Sequence, residues 1–387
     1  MARRTHFASN HKQVFDSLSA IAGSYADLID LRLGWSQEHQ LPEHILAACK
    51  GAIEGSSDSR WSILPDLKHA IARKLERENS IEVDPLTQIL VTTGASEAIW
   101  LAILTLVDPG DEVIMADPGY LAGFESNIEM VGGKVIHVTA REERNFKVDP
   151  QDIQMNVSSK TKMLVIITPE NPTGAVYDKK DLESIADIAK EHNLMVVSDE
   201  IFEKLVYDDK QNFSIGALSS MEDRTLTING FTKGYNMPGY RIGYIVGPEP
   251  LIRKMGELQF HMTDVPNQIG QAAALAAIDG PQDWIKDAVK EYGKCRGFLV
   301  AELNKMERVK CSKPEGGFTA FPNMKELGLR SIELVQHILK QAHVRILGGP
   351  LFGHGANSEG YIQIGFCRPM KSLKESVTRI RNALESL

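Results

Sequence analysis

Cysteine is scarce. The 387 residues hold four, Cys49, Cys295, Cys311 and Cys367, with no CxxC pair among them. That scatter excludes a disulfide scaffold and a thiolate zinc cluster, and it points to a reducing compartment. Long apolar runs are missing as well: stretches such as 99–107 and 272–278 fall far short of the roughly 20 residues that span a bilayer, so no transmembrane helix is expected. The basic start, Met1 to His6, is followed by no apolar segment, so no secretory signal is expected and the expected location is the cytoplasm. Positive charge is not in excess. Against 51 Asp and Glu stand 43 Lys and Arg, a net charge of −8, and no basic cluster is interleaved with aromatics, which removes the footprint of a nucleic-acid binder. The 11 histidines show neither HxH nor HxxxH spacing, so no metal site is expected. What remains is an ordinary globular composition, 43% hydrophobic and 24% charged, on a chain long enough for one large domain and a smaller one. The expected partner is a small molecule.

There is no internal repeat and no low-complexity linker. Helices are expected at 95–106, 121–131 and 179–192, alternating with short apolar strands at 112–116, 134–138, 163–168 and 195–198. That order is the pattern of βαβ units in a mostly parallel sheet covered on both faces, so the fold class is α/β. From Pro281 the texture changes. A long helix from Asp283 to about Lys305 is followed by a strand at 315–321, a helix at 331–343, a strand at 361–366 and a last helix at 372–387, a mixed order that predicts a smaller α+β domain. The division expected is a large domain over 40–282 and a small domain built from 1–39 and 283–387.

In open α/β sheets ligands bind at the carboxyl ends of strands, so the residues just after each strand carry the information. Four places stand out. At Thr92-Thr93-Gly94-Ala95-Ser96 a strand turns through glycine into a helix, whose free amides can hold a phosphate; in isolation a plain capped turn explains it equally well. At Pro169-Glu170-Asn171-Pro172-Thr173-Gly174 two prolines hold Asn171 extended, although a simple turn would read the same way. At Ser198-Asp199-Glu200 two acids end an apolar strand, where a carboxylate needs a partner. In the segment from Asn229 to Tyr244, Lys233 sits among small residues after an apolar strand, a setting that lowers an amine's pKa and makes it a nucleophile. Together, a lysine, an acid, an asparagine and a phosphate cradle fit pyridoxal 5'-phosphate.

The chain resembles the fold-type I pyridoxal-phosphate enzymes, specifically the class I/II aminotransferases, over nearly its whole length. Asn171-Pro172-Thr173-Gly174, Ser198-Asp199-Glu200 and Thr232-Lys233 with Gly239-Tyr240-Arg241-Ile242-Gly243-Tyr244 occur in family order. The resemblance implies that Lys233 bonds the cofactor and shuttles the proton, and that Asp199 pairs with the pyridine nitrogen. It implies that Asn171 hydrogen-bonds the phenolic oxygen and Tyr120 stacks on the ring. Gly94, Ala95, Ser96, Thr232 and Arg241 would hold the phosphate, and Gly34 would line the substrate pocket. It also implies amino-group transfer between an amino acid and a 2-oxo acid, and a homodimer with active sites at the subunit boundary.

Three positions depart from the family pattern. Phe202 stands where the family has a tyrosine that shares the phenolic oxygen, and Gly230 stands where it has a serine phosphate ligand. Gln363, in Gly360-Tyr361-Ile362-Gln363-Ile364, stands where an arginine binds the substrate's α-carboxylate, and a neutral amide cannot supply that charged fork. Arg368, or Arg60 from a neighbouring subunit, is the expected substitute, and Arg60 and Trp61 are the nearest candidates for the family's partner-subunit tyrosine. The lost arginine keeps open a lyase, decarboxylase or synthase on the same fold. A non-catalytic regulator is disfavoured by the joint presence of Lys233, Asp199 and Asn171.

Overall fold

The structure is a computed structural model and describes residues 18–19, 21–23, 25–32, 40–55 and 63–387. After strand β1 (Ile29–Asp30) come seven strands of one sheet: β2 (Ile89–Thr92), β3 (Glu112–Asp117), β4 (Lys134–Thr139), β5 (Thr161–Ile167), β6 (Met195–Asp199), β7 (Thr225–Gly230) and β8 (Gly243–Val246). Their order is β2-β8-β7-β6-β5-β3-β4, parallel except for β8, which runs against both of its neighbours. Strand side chains alternate between faces. Accordingly Val113 and Met115 pack beneath the helix Ala95–Leu106, while Ile114 joins Leu164 and Ile166 beneath the helix Lys179–Glu191. Both faces are covered, which is why these strands read as continuous apolar runs.

The helices start where local chemistry permits. Asp178 accepts from the Asp181 amide to cap Lys179–Glu191, whose Leu182, Ile185, Ala186 and Ala189 share one buried stripe. Ala95–Leu106 has no side-chain cap and begins directly after Gly94, whose φ of +77° favours glycine.

The rest of the chain forms two small sheets. Strands β9 (Thr319–Ala320), β11 (Leu347–Gly348) and β12 (Ile362–Gly365) lie antiparallel in the order β11-β12-β9, and β1 pairs in parallel with β10 (Val344–Arg345). Leu18, Ala22 and Leu31 share an apolar core with C-terminal residues such as Leu334, Ile364 and Ile380. In β12, Ile362 and Ile364 point into that core, so Gln363 between them faces the opposite way.

The strand expected at 315–321 shrinks to Thr319–Ala320. Gly317 has a φ of +71°, and the amides of Glu315 and Gly316 donate to the Gly174 carbonyl instead of to a strand partner. A Cβ on Gly316 would lie 2.6 Å from the Pro169 ring, so this segment is a close dock onto the 169–174 turn. Among the described residues no helix is long and apolar enough to cross a membrane.

Candidate active site

A cavity of about 480 Å³ opens at the carboxyl ends of β5 and β6. Its wall brings together Ala95, Ser96, Tyr120, Asn171, Asp199, Thr232, Lys233, Arg241 and Gln363, residues drawn from both halves of the chain. A larger, more open depression of about 800 Å³ runs beside the helix Asp283–Leu303, and several of its charges are already paired, Lys204 with Glu78 and Arg296 with Asp208.

One end of the cavity is an anion cradle. The first turn of Ala95–Leu106 points its amides there, beside the Ser96 and Thr232 hydroxyls and the Arg241 guanidinium. Gly94 makes room for that arginine, since a Cβ there would lie 2.5 Å from Arg241 Nη2, and Gly243 makes room for the helix start, since a Cβ there would lie 2.5 Å from the Ala95 nitrogen. Gly230, the position where a serine was expected, pairs directly with Gly243 across β7 and β8. A Cβ there would meet Gly243 Cα at 2.9 Å, so the strand contact excludes a side chain.

The middle of the cavity holds the acid and the amine. Asp199, at the end of β6, is buried, and loss of water pushes its carboxyl up to about 6 although the Ile201 amide donates to Oδ1 at 3.1 Å and Lys233 lies near. Burial likewise lowers Lys233 to about 8, with Asp199 opposing the shift and Arg241 adding to it. Its Nζ sits 4.7 Å from the centre of the Phe318 ring and 5.6 Å from that of Phe202. Tyr120, at the start of the helix Leu121–Val131, contributes a ring to the wall, and burial raises its hydroxyl above the ordinary value. Glu200 points away from the cavity, accepting hydrogen bonds from the Ser198 and Ser214 hydroxyls, and burial raises it to about 7.

Asn171 and Gln363 meet on the opposite wall. Gln363 Nε2 donates to Asn171 Oδ1 at 2.8 Å, which leaves the Asn171 NH2 group as a donor. The Asn171 backbone amide donates to Glu170 Oε1 at 3.0 Å, and Glu170 itself is wholly buried with its carboxyl raised by that burial. Phe202, the residue in the tyrosine's place, packs edge to face on Phe318 at 5.0 Å, so that side of the cavity is apolar.

Arg32 also lines the cavity, and the sequence analysis did not find it. Its Nε and Nη2 form a fork on Asp30, at 2.9 Å to Oδ1 and 2.6 Å to Oδ2, and these bonds hold the Asp30 carboxyl below its ordinary value against the opposing effect of burial. Two further arginines surround Asp30. Arg345 is its strand partner, drawn below its ordinary value by burial and by Arg32, and Arg368 donates from Nε and Nη2 to the Asp30 carbonyl at 3.0 and 2.5 Å. Arg368, expected as a substitute at the cavity, therefore braces β1 from behind and does not line the wall. Gly34, Arg60 and Trp61 lie outside the described residues.

The donor set fits pyridoxal phosphate: a cradle of amides, hydroxyls and a guanidinium for a dianion, a buried carboxylate for a ring nitrogen, an amine between them, and an amide donor on the far wall. Comparison with known proteins agrees. The family model for aminotransferase class I and II matches residues 31–380. The chain is 36% identical over 380 residues to an aspartate aminotransferase of Pyrococcus abyssi, covering 97% of this chain and 95% of the other. It is 35% identical over 381 residues to aromatic-amino-acid aminotransferase 2 of Thermococcus litoralis, covering 97% and 96%. It superimposes on an alanine aminotransferase from Pyrococcus furiosus with a TM-score of 0.92 at 30% identity over the full length of both chains. With the family model matched over nearly the whole chain and the fold shared end to end, this chain belongs to the class I and II aminotransferases and is a pyridoxal-phosphate-dependent transaminase.

Proposed function

We propose that this transaminase moves the amino group of a carboxylate-bearing amino acid to a 2-oxo acid, with Lys233 as its central base and Arg32 as the cation for the substrate carboxylate. The observation that carries the reading is the convergence of Lys233, Asp199, Asn171 and Arg241 on one cavity whose wall also holds Arg32 and Gln363. Pyridoxal phosphate, when bound, supplies an electron-poor ring that weakens the bonds to the substrate's α-carbon. Each residue of the chain has a task set by its position. Lys233, lowered to about 8, gives up its proton far more readily near neutral pH than an ordinary lysine, so its Nζ would serve as the nucleophile that holds the cofactor and as the base that moves the α-proton. Asp199, ionised above about pH 6, would hold a proton on the ring nitrogen. Ser96, Thr232, Arg241 and the helix amides anchor the phosphate. Tyr120 would cover one face of the ring, and the Asn171 NH2 group would donate to the phenolic oxygen.

Arg32 is assigned to the carboxylate on charge. The Asp30 carboxylate is acted on by two guanidinium groups, Arg32 and Arg345, an imbalance that favours an added anion at the cavity wall. Two nitrogens of Arg32 are spent on Asp30, which fixes the plane of the guanidinium, and Nη1 remains to donate. Residues 40–282 and the remainder act as the large and small domains, and a homodimer in the cytoplasm completes the reading. The four buried free thiols agree with a reducing compartment. Exposed Phe260, Met262 and Ile269, close together on successive helices, agree with an apolar subunit contact.

The test is a half-reaction. Purified holoenzyme mixed with single amino acids and no acceptor should release one equivalent of 2-oxo acid per chain while the cofactor band moves to that of the amine form. Release of ammonia or carbon dioxide without that band shift would instead identify a lyase or decarboxylase.

A further inference from the structure

Beside the cavity, four side chains that the sequence keeps far apart converge. Asp117 ends β3, and His137 lies on the neighbouring strand β4, opposite Met115. Glu125 comes from the helix Leu121–Val131, and His354 from the loop after the turn Gly349–Leu351. Asp117 Oδ2 lies 3.2 Å from His354 Nδ1 and 4.0 Å from His137 Nδ1, and one ligand atom from each of the three residues lies within 4.8 Å of the other two. On the outer side of both rings sits Glu125 Oε1, 3.0 Å from His137 Nε2 and 3.6 Å from His354 Nε2.

The charges need an explanation. Asp117 is 2% exposed and Glu125 5%, and among the described residues the only basic groups within 4.0 Å of either carboxylate are the two imidazoles. Neutralising both carboxylates with protons on the rings would set two imidazolium ions with centres 4.4 Å apart. A divalent cation does the same with both rings neutral. Polar atoms are also left over: His137 Nδ1 and Glu125 Oε2 are buried without a hydrogen-bond partner. With Nε2–H of each ring facing Glu125, the Nδ1 lone pairs turn toward Asp117, the arrangement in which an outer carboxylate fixes the tautomer of metal-binding histidines. Donors at about 2.0–2.1 Å from a tetrahedral zinc ion are roughly 3.3 Å apart. The Asp117–His354 separation already matches that spacing, and a small rotation of the His137 ring brings in the third ligand.

We propose that Asp117, His137 and His354 bind a divalent transition-metal ion of the zinc type, oriented by Glu125. Two imidazole nitrogens and one carboxylate oxygen suit zinc better than magnesium or calcium, which prefer all-oxygen shells. The His354 side chain is 47% exposed, so the fourth position opens to solvent. The ion ties two walls of the active site together. Asp117 lies three residues before Tyr120, and His354 follows Leu351 and Phe352, both of which line the cavity. The two segments are already in register, with Gly119 donating to the Phe352 carbonyl at 2.7 Å and the His354 amide donating to Asp117 Oδ1 at 3.1 Å. A side chain at Gly353 would put its Cβ 2.4 Å from Asp117 Oδ1, so the loop approaches as closely as glycine permits.

The experiment uses untagged holoenzyme dialysed against chelator, titrated with zinc by calorimetry and counted by elemental analysis, with cobalt(II) as a spectroscopic probe. One ion per chain is expected, with visible cobalt bands of tetrahedral intensity and a higher thermal midpoint. His137→Gln and His354→Gln should each weaken zinc by about 100-fold or more while the cofactor band is retained. Glu125→Gln, which leaves every ligand in place, should weaken it about 10- to 100-fold. Binding well below one ion per chain, or stoichiometric binding that these variants leave unchanged, overturns the proposal. If a histidine variant fails to fold, Glu125→Gln decides alone, and unchanged affinity there overturns it. None of these readouts depends on which substrate the enzyme takes.

Discussion

Gln363 Nε2 and Asn171 Oδ1 are joined by a 2.8 Å hydrogen bond that links strand β12 to the turn after β5. Two departures from the family pattern line the same cavity. A phenylalanine at 202 removes one polar group from the cavity, and a glutamine at 363 removes a charge but orients the neighbouring asparagine so that its NH2 group donates inward. The wall this creates is neutral, and Arg32, held by Asp30, is a cation that lines the same cavity.

Gln363→Ala is therefore expected to act on the cofactor before the substrate. Losing a buried hydrogen bond of about 1 kcal/mol should weaken cofactor binding about fivefold and displace its absorption maximum, because Asn171 loses its orientation. Equilibrium dialysis and the absorption spectrum check this; a variant with unchanged cofactor affinity and a changed KM alone would mean that Gln363 contacts substrate instead.

Arg32→Ala should leave the cofactor spectrum intact and lower kcat/KM for amino acids about 10- to 100-fold, the effect of losing a charge-assisted hydrogen bond of roughly 1.5–3 kcal/mol. Most of the loss should appear in KM. Adding Gln363→Arg to that variant should recover part of it, whereas Arg368→Ala should affect stability more than KM, since its guanidinium holds the Asp30 carbonyl. An Arg32→Ala enzyme with unaltered kinetics would remove the assignment.

Asp199→Ala should reduce kcat by about 30-fold to several thousandfold, corresponding to roughly 2–5 kcal/mol of charge stabilisation, with a smaller effect on cofactor occupancy. Steady-state rates normalised to bound cofactor give the comparison. Near-normal turnover would place the essential acid elsewhere.

The cofactor-free protein should show two opposite pH arms in its stability. Asp199 is raised from 3.8 to about 6, so between those values the folded state binds more protons than the unfolded one, and stability falls as pH rises through about 6. Lys233 is lowered from 10.5 to about 8, so the unfolded state binds more protons between those values, and stability is lost as pH falls through about 8. Urea unfolding across pH should show a minimum between the two arms, each on the order of 1–3 kcal/mol. Asp199→Asn should shrink the acid arm, to which Glu200 also contributes, and enlarge the alkaline one, because the charge that opposes the lowering of Lys233 is gone.

The sequence displayed what local chemistry determines. Helices 95–106 and 121–131 match their expected bounds because glycine or proline turns precede each and apolar spacing runs through them, and the buried strands show as short apolar runs. Lys233, Asp199, Asn171 and Arg241 were visible because each sits in a compact motif at a strand end. Arg32 was not, since its place in the cavity depends on β1 pairing with β10, more than 300 residues along the chain. Nor were Asp117, His137 and His354, whose meeting needs two neighbouring strands and a C-terminal loop, and whose spacing follows no local metal pattern. The strand expected at 315–321 failed for a related reason: Gly316 and Gly317 spend their freedom on docking against the 169–174 turn, a contact invisible in the segment's own composition.

The central claim is that Lys233 carries the amino-transfer chemistry in the cavity it shares with Asp199 and Arg241. Borohydride reduction of the purified holoenzyme, followed by peptide mapping, measures this directly. A single phosphopyridoxyl mass on the peptide containing Lys233 is the predicted result, lost in Lys233→Ala together with amino-acid turnover. A label on any other lysine, or a Lys233→Ala enzyme that still turns over amino acids, would contradict the account.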